Sequence, residues 1–354
     1  MPVKNCNAGP SPATLRRDLL KWYRRHQREL PWRPTAQRPA NPYHVLVSEA
    51  MLQQTQVATV IPYFERFVTA LPTLSDLADA SQQQVLRLWQ GLGYYRRARY
   101  LHGAAQKIVA DFDGQVPDQV ADLLTLPGVG RYTAGAVASI AYGMPAPIVD
   151  GNVARVLARL YGIELPVDQP AGRKQLWALA QEVVAPRAAG DFNQAMMELG
   201  AMLCTARSPG CDVCPLAGSC AALSQDKVGA LPIVTPARQP VAVTHRVLAI
   251  ERGGRFLFEQ RPSTGLWSDM WQLPTAEDEH DIAQRMGLVV DVPGVLGGFV
   301  HQTTHRTIRF DIQHASAVAG RLRRGAGVWR RLSQLEDLPL AKPQQRVVQM
   351  LQAR

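Results

Sequence analysis

Of the 354 residues only five are cysteine and 7% are aromatic, and the 29 acidic side chains are outnumbered by 39 lysines and arginines. No apolar run reaches the roughly 18 residues of a membrane-crossing helix, so no transmembrane segment is expected. The opening stretch MPVKNCNAGPSP lacks an apolar core, which speaks against a secretory signal. Internal repeats and low-complexity tracts are missing as well, which excludes repeat arrays and disordered scaffolds. Four of the five cysteines, Cys204 to Cys220, crowd into 17 residues, while Cys6 stands alone. That usage argues against a secreted disulfide framework and for a metal site in a reducing compartment. The expected location is therefore the cytoplasm, in a bacterium with the nucleoid.

Hydrophobic residues make up 46% of the chain, enough to fill a packed interior, and the length suits two domains. The net charge is +10, with 24 basic against 18 acidic residues in 1–240 and 15 against 11 in 241–354. Both halves are basic, as two parts gripping one polyanion would be. A merely solvated basic surface stays open on charge alone. No exposed apolar stripe suggests pairing of copies, so a monomer is the default.

Residues 11–221 read as a helical domain. Ser11-Pro12 and Asn41-Pro42 each supply a capping side chain followed by proline at the first helical position. The first helix carries Leu15, Leu19, Trp22 and Tyr23 at helical spacing, and the second runs through VLVSEAMLQQT. Further helices are expected near 57–70, 82–90, 94–112, 118–125, 132–142, 152–161, 171–185 and 191–203. Residues 222–240 are weakly patterned and contain proline, and read as a linker. From 241 to 354 the texture changes to α+β. VAVTHRVLAIERGGRFLFEQR reads as two strands around a Gly253-Gly254 turn, HRTIRFDIQHASAV alternates again, and short helices are expected near 277–286 and 343–352.

Cys204, Cys211, Cys214 and Cys220 are separated by six, two and five residues. Four thiolates in one compact loop suit a [4Fe–4S] cluster or a tetrahedral zinc, and spacing alone does not separate them. Upstream, LPGVGRYTAGAV joins two helices by a turn in which Gly128 and Gly130 permit close backbone approach. The helix that follows begins with N–H groups free to meet a phosphate. Two acids stand out. Glu49 sits among Val47, Met51 and Leu52, where an ionised carboxylate is costly, so a raised pKa is expected. Asp150 lies at the mouth of a helix, where it also serves as a cap.

Taken in order, these segments resemble the MutY family of adenine DNA glycosylases over roughly residues 12–350. The six-two-five cysteine spacing matches the cluster loop of endonuclease III and MutY enzymes, which implies a [4Fe–4S] cofactor with Arg207 near phosphates. LPGVGRYTAGAV is similar to the helix–hairpin–helix of that superfamily. The fold implied is a mainly α glycosylase region followed by a Nudix-like α+β domain. The activity implied is hydrolysis of the N-glycosidic bond of adenine facing 8-oxoguanine or guanine in double-stranded DNA.

By that resemblance Glu49 is the general acid and Asp150 the carboxylate that stabilises the oxocarbenium ion, with Asn152 positioning the chemistry. Glycoside hydrolases divide two carboxylates in the same way. Tyr132 stands where bifunctional relatives carry a lysine. A phenol forms no imine, so base removal without strand cleavage is expected. Trp32, Arg33, Tyr132 and Glu198 are expected around the adenine, reached by flipping the base. Gln54 is expected to enter the vacated stack, with Leu92 and Tyr94 as the wedge near the opposite base and Arg96, Arg97 and Arg99 on phosphates.

The family's Phe-Ser-His tripeptide for oxidised guanine reads Thr303-Thr304-His305 here. The hydroxyl and imidazole are kept and the phenyl ring is lost, so discrimination of 8-oxoguanine is expected to be weakened or differently organised. The helix EDEHDIAQRMG lacks the arginine-and-paired-glutamate pattern of a working Nudix hydrolase, so recognition rather than pyrophosphate hydrolysis is expected of the second domain. The resemblance also leaves room for contact with a replication clamp as a partner. Three other readings compete: a thymine or uracil mismatch glycosylase, a catalytically silent lesion binder, and a zinc-stabilised transcription factor.

Overall fold

The computed structural model describes residues 9–35, 39–236, 239–276 and 282–353. Cys6 and residues 277–281 of the expected helix near 277–286 lie outside the described residues. The helices before the cysteine loop are α1 (Pro12–His26), α2 (Pro42–Leu52), α3 (Val57–Ala70), α4 (Leu74–Asp79), α5 (Gln82–Leu88) and α6 (Arg96–Asp111). They continue with α7 (Val120–Leu123), α8 (Arg131–Tyr142), α9 (Gly151–Tyr161), α10 (Pro170–Val183) and α11 (Ala189–Met202). The two Pro-initiated helices start where the caps predict: Ser11 Oγ accepts from Thr14 N at 3.3 Å, and Asn41 Oδ1 accepts from His44 N at 3.2 Å. The second of them stops at Leu52, short of the expected run through Thr55.

By packing, the chain divides into two units: Met1–Ala78 with Gly103–Pro236, and Asp79–His102 with Ala237–Arg354. In the first, α2 packs on α8, and α11 packs on α1, α8 and α9. Their shared core includes Leu15, Leu19, Leu157, Phe192 and Leu199, all at most 2% exposed. Only a glycine fits at position 200. A Cβ there would lie 2.7 Å from the Cβ of Asn152, so α11 crosses α9 two residues after Asp150. After the cysteine loop and α12 (Ala221–Ser224), the segment expected as a linker has neither helix nor strand up to residue 236, yet it is tied down. Leu231 is buried with its carbonyl accepting from Arg159 Nε at 2.8 Å, and Val167 N donates to Ile233 O at 2.9 Å.

The second unit is built on a seven-stranded sheet: β1 (Val241–Arg252), β2 (Arg255–Gln260), β3 (Trp271–Gln272), β4 (Thr275–Ala276), β5 (Leu288–Gln302), β6 (Arg306–Gly320) and β7 (Val328–Arg330). The main path runs β3-β2-β1-β6-β5, with β1 and β6 parallel and β5 and β6 an antiparallel hairpin. Gly253 and Gly254, both at positive φ (57° and 70°), make the expected β1–β2 turn. The short α13 (Ile282–Met286) follows β4, and α14 (Lys342–Gln352) closes the chain. From α13, Arg285 reaches the buried Glu259 at 2.6 Å, tying that carboxylate to a guanidinium.

Residues 79–102, α-helical by sequence, pack with this sheet unit. Gln83 Nε2 donates to Asp269 O, Trp271 Nε1 donates to Gln83 Oε1, and Leu340 N donates to Gln90 Oε1. Among the described residues no helix is long and apolar enough to cross a membrane.

Candidate active site

One pocket of the helical unit gathers residues from five places in the sequence: the LPWR segment, α2 and the turn after it, the start of α8, the start of α9, and α11. Of the residues singled out by sequence, Trp32, Arg33, Glu49 and Gln54 line it from the N-terminal side. Tyr132, Asp150, Asn152 and Glu198 line it from the other. Arg28, Gln194 and Met197 line it as well and were not anticipated.

Glu49 projects from α2, a helix apolar nearly all round, and is 4% exposed. Its Oε2 has no hydrogen-bond partner among the described residues. Burial pushes its pKa from 4.5 up to about 7, the Tyr132 hydroxyl pulls it down in part, and the Asp150 carboxylate pushes it up further. Tyr132 donates toward Met197 Sδ at 3.2 Å, a weak acceptor. Its proton can therefore turn to Glu49 whenever that carboxyl ionises.

Asp150 caps α9, accepting from Val153 N at 2.7 Å through Oδ1 and from Asn152 Nδ2 at 3.3 Å through Oδ2. Burial raises its pKa too, but the bonds from Val153 and Asn152 and the charge of Arg155 all favour the ionised form. Glu49 has only Tyr132 on that side of the balance. Of the two acids, Glu49 is therefore the better placed to hold a proton, and Asp150 the better placed to hold the charge. Arg155, also not anticipated, fixes Asn152 from behind: its Nη2 donates to Asn152 Oδ1 at 2.7 Å and to Gly200 O at 2.8 Å, and its Nε donates to Cys204 O at 2.8 Å.

Glu198 is 1% exposed and fully engaged. Oε1 accepts from Arg28 N at 2.9 Å and Arg28 Nε at 2.7 Å, while Oε2 accepts from Arg28 Nη2 at 3.0 Å and Arg33 Nη2 at 3.2 Å. Burial alone would raise its pKa, but the guanidinium groups outweigh it and the net shift is downward. Glu198 is thus an ionised anchor that aims Arg28 and Arg33, not a proton donor. Arg33 also donates to Gln194 Oε1 at 2.8 Å, four residues before Glu198 on the same face of α11. Trp32 packs edge-on against Phe64 while lining the pocket, so it is both core and wall.

Apart from Gln54, which lines this pocket, the remaining expected contacts lie outside it. In the hairpin between α7 and α8, Gly128 has φ 73°. Gly130 is the N-cap of α8 with no side chain capping the first N–H groups, which leaves them open to a phosphate. Leu92 is buried, whereas Tyr94 is 47% exposed at φ 49°. Gln54 is another non-glycine residue at positive φ, 58°, and is exposed. The expectation of three phosphate-binding arginines after Tyr95 needs correcting. Arg96 is exposed, but Arg99 is held by Asp269 Oδ2 at 2.6 Å and Ser263 O at 2.9 Å, and Arg97 is buried. Thr303, Thr304 and His305 form the turn between β5 and β6. Thr303 staples that turn: its N–H donates to Arg306 O at 2.8 Å and its hydroxyl accepts from Arg306 N at 3.0 Å.

Cys204, Cys211, Cys214 and Cys220 line one cavity with Val156, Leu199 and other apolar side chains, and none is in a disulfide. No three His, Cys, Asp or Glu among the described residues converge tightly enough for a single metal ion, which needs four thiolates at about 2.3 Å from one point. Four sulfurs lining one apolar cavity fit the thiolate donor set of an iron–sulfur cluster. Burial and the neighbouring thiols push Cys214 up to about 11, the crowding that a cationic cluster relieves. Arg159 adds a donor to Cys204 Sγ at 3.4 Å. Cys214→Ser is expected to lose the brown colour of the cluster. It should also destabilise the protein by at least about 2 kcal/mol, because metal-binding energy at such a site is folding energy; visible absorbance and a melting curve check both.

Three family models match the chain: the HhH-GPD superfamily base excision DNA repair protein over residues 47–182, the iron–sulfur binding domain of endonuclease III over 204–220, and a NUDIX domain over 246–350. The cofactor of the cysteine loop is a [4Fe–4S] cluster. An adenine DNA glycosylase of Buchnera aphidicola from Schizaphis graminum is 30% identical over 345 residues, covering 94% of this chain and 97% of its own length. The rat adenine DNA glycosylase is 40% identical over 309 residues, covering 74% of this chain. The chain spans 60% of the rat relative and 50% of the Arabidopsis one. Among solved structures, a thermostable thymine-DNA glycosylase matches 60% of the chain and 97% of its own with a TM-score of 0.54 at 28% identity. A trapped endonuclease III–DNA covalent intermediate matches 61% and 99% with a TM-score of 0.51 at 25% identity.

Proposed function

We propose, because the chain belongs to the adenine DNA glycosylase family, that it excises adenine from double-stranded DNA by hydrolysing the N-glycosidic bond, where adenine faces 8-oxoguanine or guanine. The observation that carries this reading is the pair Glu49 and Asp150: a buried carboxyl and a half-buried one in one pocket, the first pushed to about 7 and the second hydrogen-bonded in its charged form. Such a split supplies one proton and one negative charge at neutral pH.

The flipped adenine stacks near Trp32, with Arg28 and Arg33 at its edge, both aimed by Glu198. Glu49 gives its proton to a ring nitrogen, and the C1′–N9 bond breaks with its electron pair leaving on the base. Asp150, held by Val153 N and Asn152, faces the positive charge that develops at C1′. Water then adds to C1′ and returns its proton to Glu49, which restores the enzyme. Tyr132 has no amine with which to trap C1′, so the product is an intact strand with an abasic site. Gln54, which lines the pocket, fills the stack; outside the pocket, the hairpin at Gly128 and Gly130 takes a phosphate, Tyr94 wedges the stack, and Thr304 and His305 read the base opposite adenine.

The test is base release under enzyme excess from adenine, thymine and uracil opposite guanine, with and without alkali. Adenine release that yields strand breaks only after alkali supports the reading. Release of thymine or uracil in preference to adenine would replace it with the mismatch activity of the other branch, and breaks without alkali would contradict the assignment of Tyr132.

A further inference from the structure

Between α5 and α6 the backbone takes three left-handed residues within four positions, at Gly91, Gly93 and Tyr94 (φ 100°, 77° and 49°). Glycine adopts that region freely, but a tyrosine does so only where its surroundings hold it. Two contacts meet at Tyr94. At its ring, the Arg97 guanidinium lies 5.3 Å from the centroid, and the same guanidinium lies 5.4 Å from the wholly buried Trp89 ring. Arg97 Nη2 and Trp89 Nε1 both donate to Gly93 O, at 3.2 and 3.1 Å, which pins the residue just before Tyr94. At its tip, the Tyr94 hydroxyl is hydrogen-bonded to the Thr304 hydroxyl at 2.7 Å. Thr304 is itself fixed, because Thr303 staples the turn that carries it. Arg97 is only 9% exposed, a poor state for a phosphate ligand, and nothing in the adenine chemistry uses it.

We propose that Arg97 and Thr304 are positioning residues for Tyr94, holding its half-exposed ring ready to enter the duplex before DNA arrives. The inference rests on Tyr94 being the wedge. It also gives the departure at Thr303 a physical purpose: the residue trades a ring that would touch DNA for a staple that steadies the Tyr94 tip. A planar guanidinium on two aromatic faces cannot be replaced by an ammonium, so lysine at 97 should fail where a simple charge requirement would accept it.

The experiment uses the full protein with its cluster and a duplex in which uncleavable 2′-fluorodeoxyadenosine faces guanine, with 2-aminopurine next to that guanine. Binding of the wild type should raise 2-aminopurine emission as the wedge breaks the stack, and Tyr94→Ala should abolish the rise. Both Arg97→Lys and Arg97→Met should lose most of the rise at saturating protein, while the slope of log affinity against log salt stays that of the wild type. Thr304→Val, an exposed hydroxyl-to-methyl change, should lower the rise by about threefold, the effect of one lost hydrogen bond.

A normal rise in Arg97→Lys, with the salt slope of Arg97→Met reduced by about one, would make Arg97 a phosphate ligand and overturn the proposal. If the Arg97 variants melt early, Thr304→Val decides, and a full rise there overturns it. An unchanged rise in Tyr94→Ala would sink the wedge reading itself, a result distinct from either.

Discussion

Glu49→Gln is expected to slow single-turnover adenine release by about a thousandfold, the usual worth of a well-placed general acid, while duplex binding survives. Glutamine keeps the shape and the hydrogen bond with Tyr132 but has no proton to give. For the same reason the wild-type rate should fall as pH rises through about 7, because the protonated form of Glu49 is the active one. Stability carries the matching signature. The folded-state pKa of about 7 exceeds the ordinary 4.5, so the stability associated with the neutral acid is complete below 4.5 and lost as pH climbs through 7. The shift corresponds to roughly 3 kcal/mol. Glu49→Gln escapes that loss, and should melt higher than the wild type at pH 8 and no higher at pH 4.5. A variant that is less active and more stable is what a strained catalytic acid predicts; equal melting at pH 8 would show that Glu49 is not buried as a charge.

Asp150→Asn should cost a few hundredfold in the same assay, in line with losing one preorganised electrostatic contact at a developing charge. Its value lies in what it leaves alone. Asparagine caps helices as well as aspartate does, so the bond from Val153 N and the start of α9 survive, and because burial raises the Asp150 pKa the melting temperature should not fall. Asp150→Ala, by contrast, should lose both rate and about 1 kcal/mol of stability. If Asp150→Asn stays active, Asp150 is a cap and nothing more. A drop in melting temperature as large as that of the alanine variant would leave its charge and its capping unseparated.

Much of this site could be read in the sequence because its signals are local. Proline after Ser11 and Asn41 marked two helix starts, glycines marked the hairpin and the β1–β2 turn, and cysteine spacing marked the cluster loop. Glu49 could be read because an acid between Val47 and Met51 is anomalous in an apolar helix. What escaped was set by tertiary packing. Arg28 gave no signal beyond its nearness to Trp32 and Arg33, since its role is created by Glu198, 170 residues away. Arg155 carries no mark in the local sequence, although it buttresses Asn152. Arg97 looked like a phosphate ligand because its neighbours are arginines, and only the fold shows its guanidinium on Trp89 and Tyr94.

Helix α4 was missed although its start is encoded. Thr73 and Asp76 cap it reciprocally, Thr73 N donating to Asp76 Oδ2 at 2.9 Å and Asp76 N donating to Thr73 Oγ1 at 3.1 Å. Six residues are too few for helical periodicity to announce themselves, so the capping pair was the only legible mark. Residues 79–102 lie between the two stretches of the helical unit in sequence but pack with the sheet, a choice made by Gln83, Gln90 and Trp271 rather than by any local pattern.

The measurement that bears most directly on the whole account is single-turnover adenine release from three duplexes, with 8-oxoguanine, guanine or cytosine opposite the adenine, at pH 6 to 9. Release should be fastest opposite 8-oxoguanine, slower opposite guanine and negligible opposite cytosine, falling above about pH 7 and nearly lost in Glu49→Gln. No adenine release from any of the three by cluster-loaded protein, or release that persists undiminished in Glu49→Gln, would contradict that account.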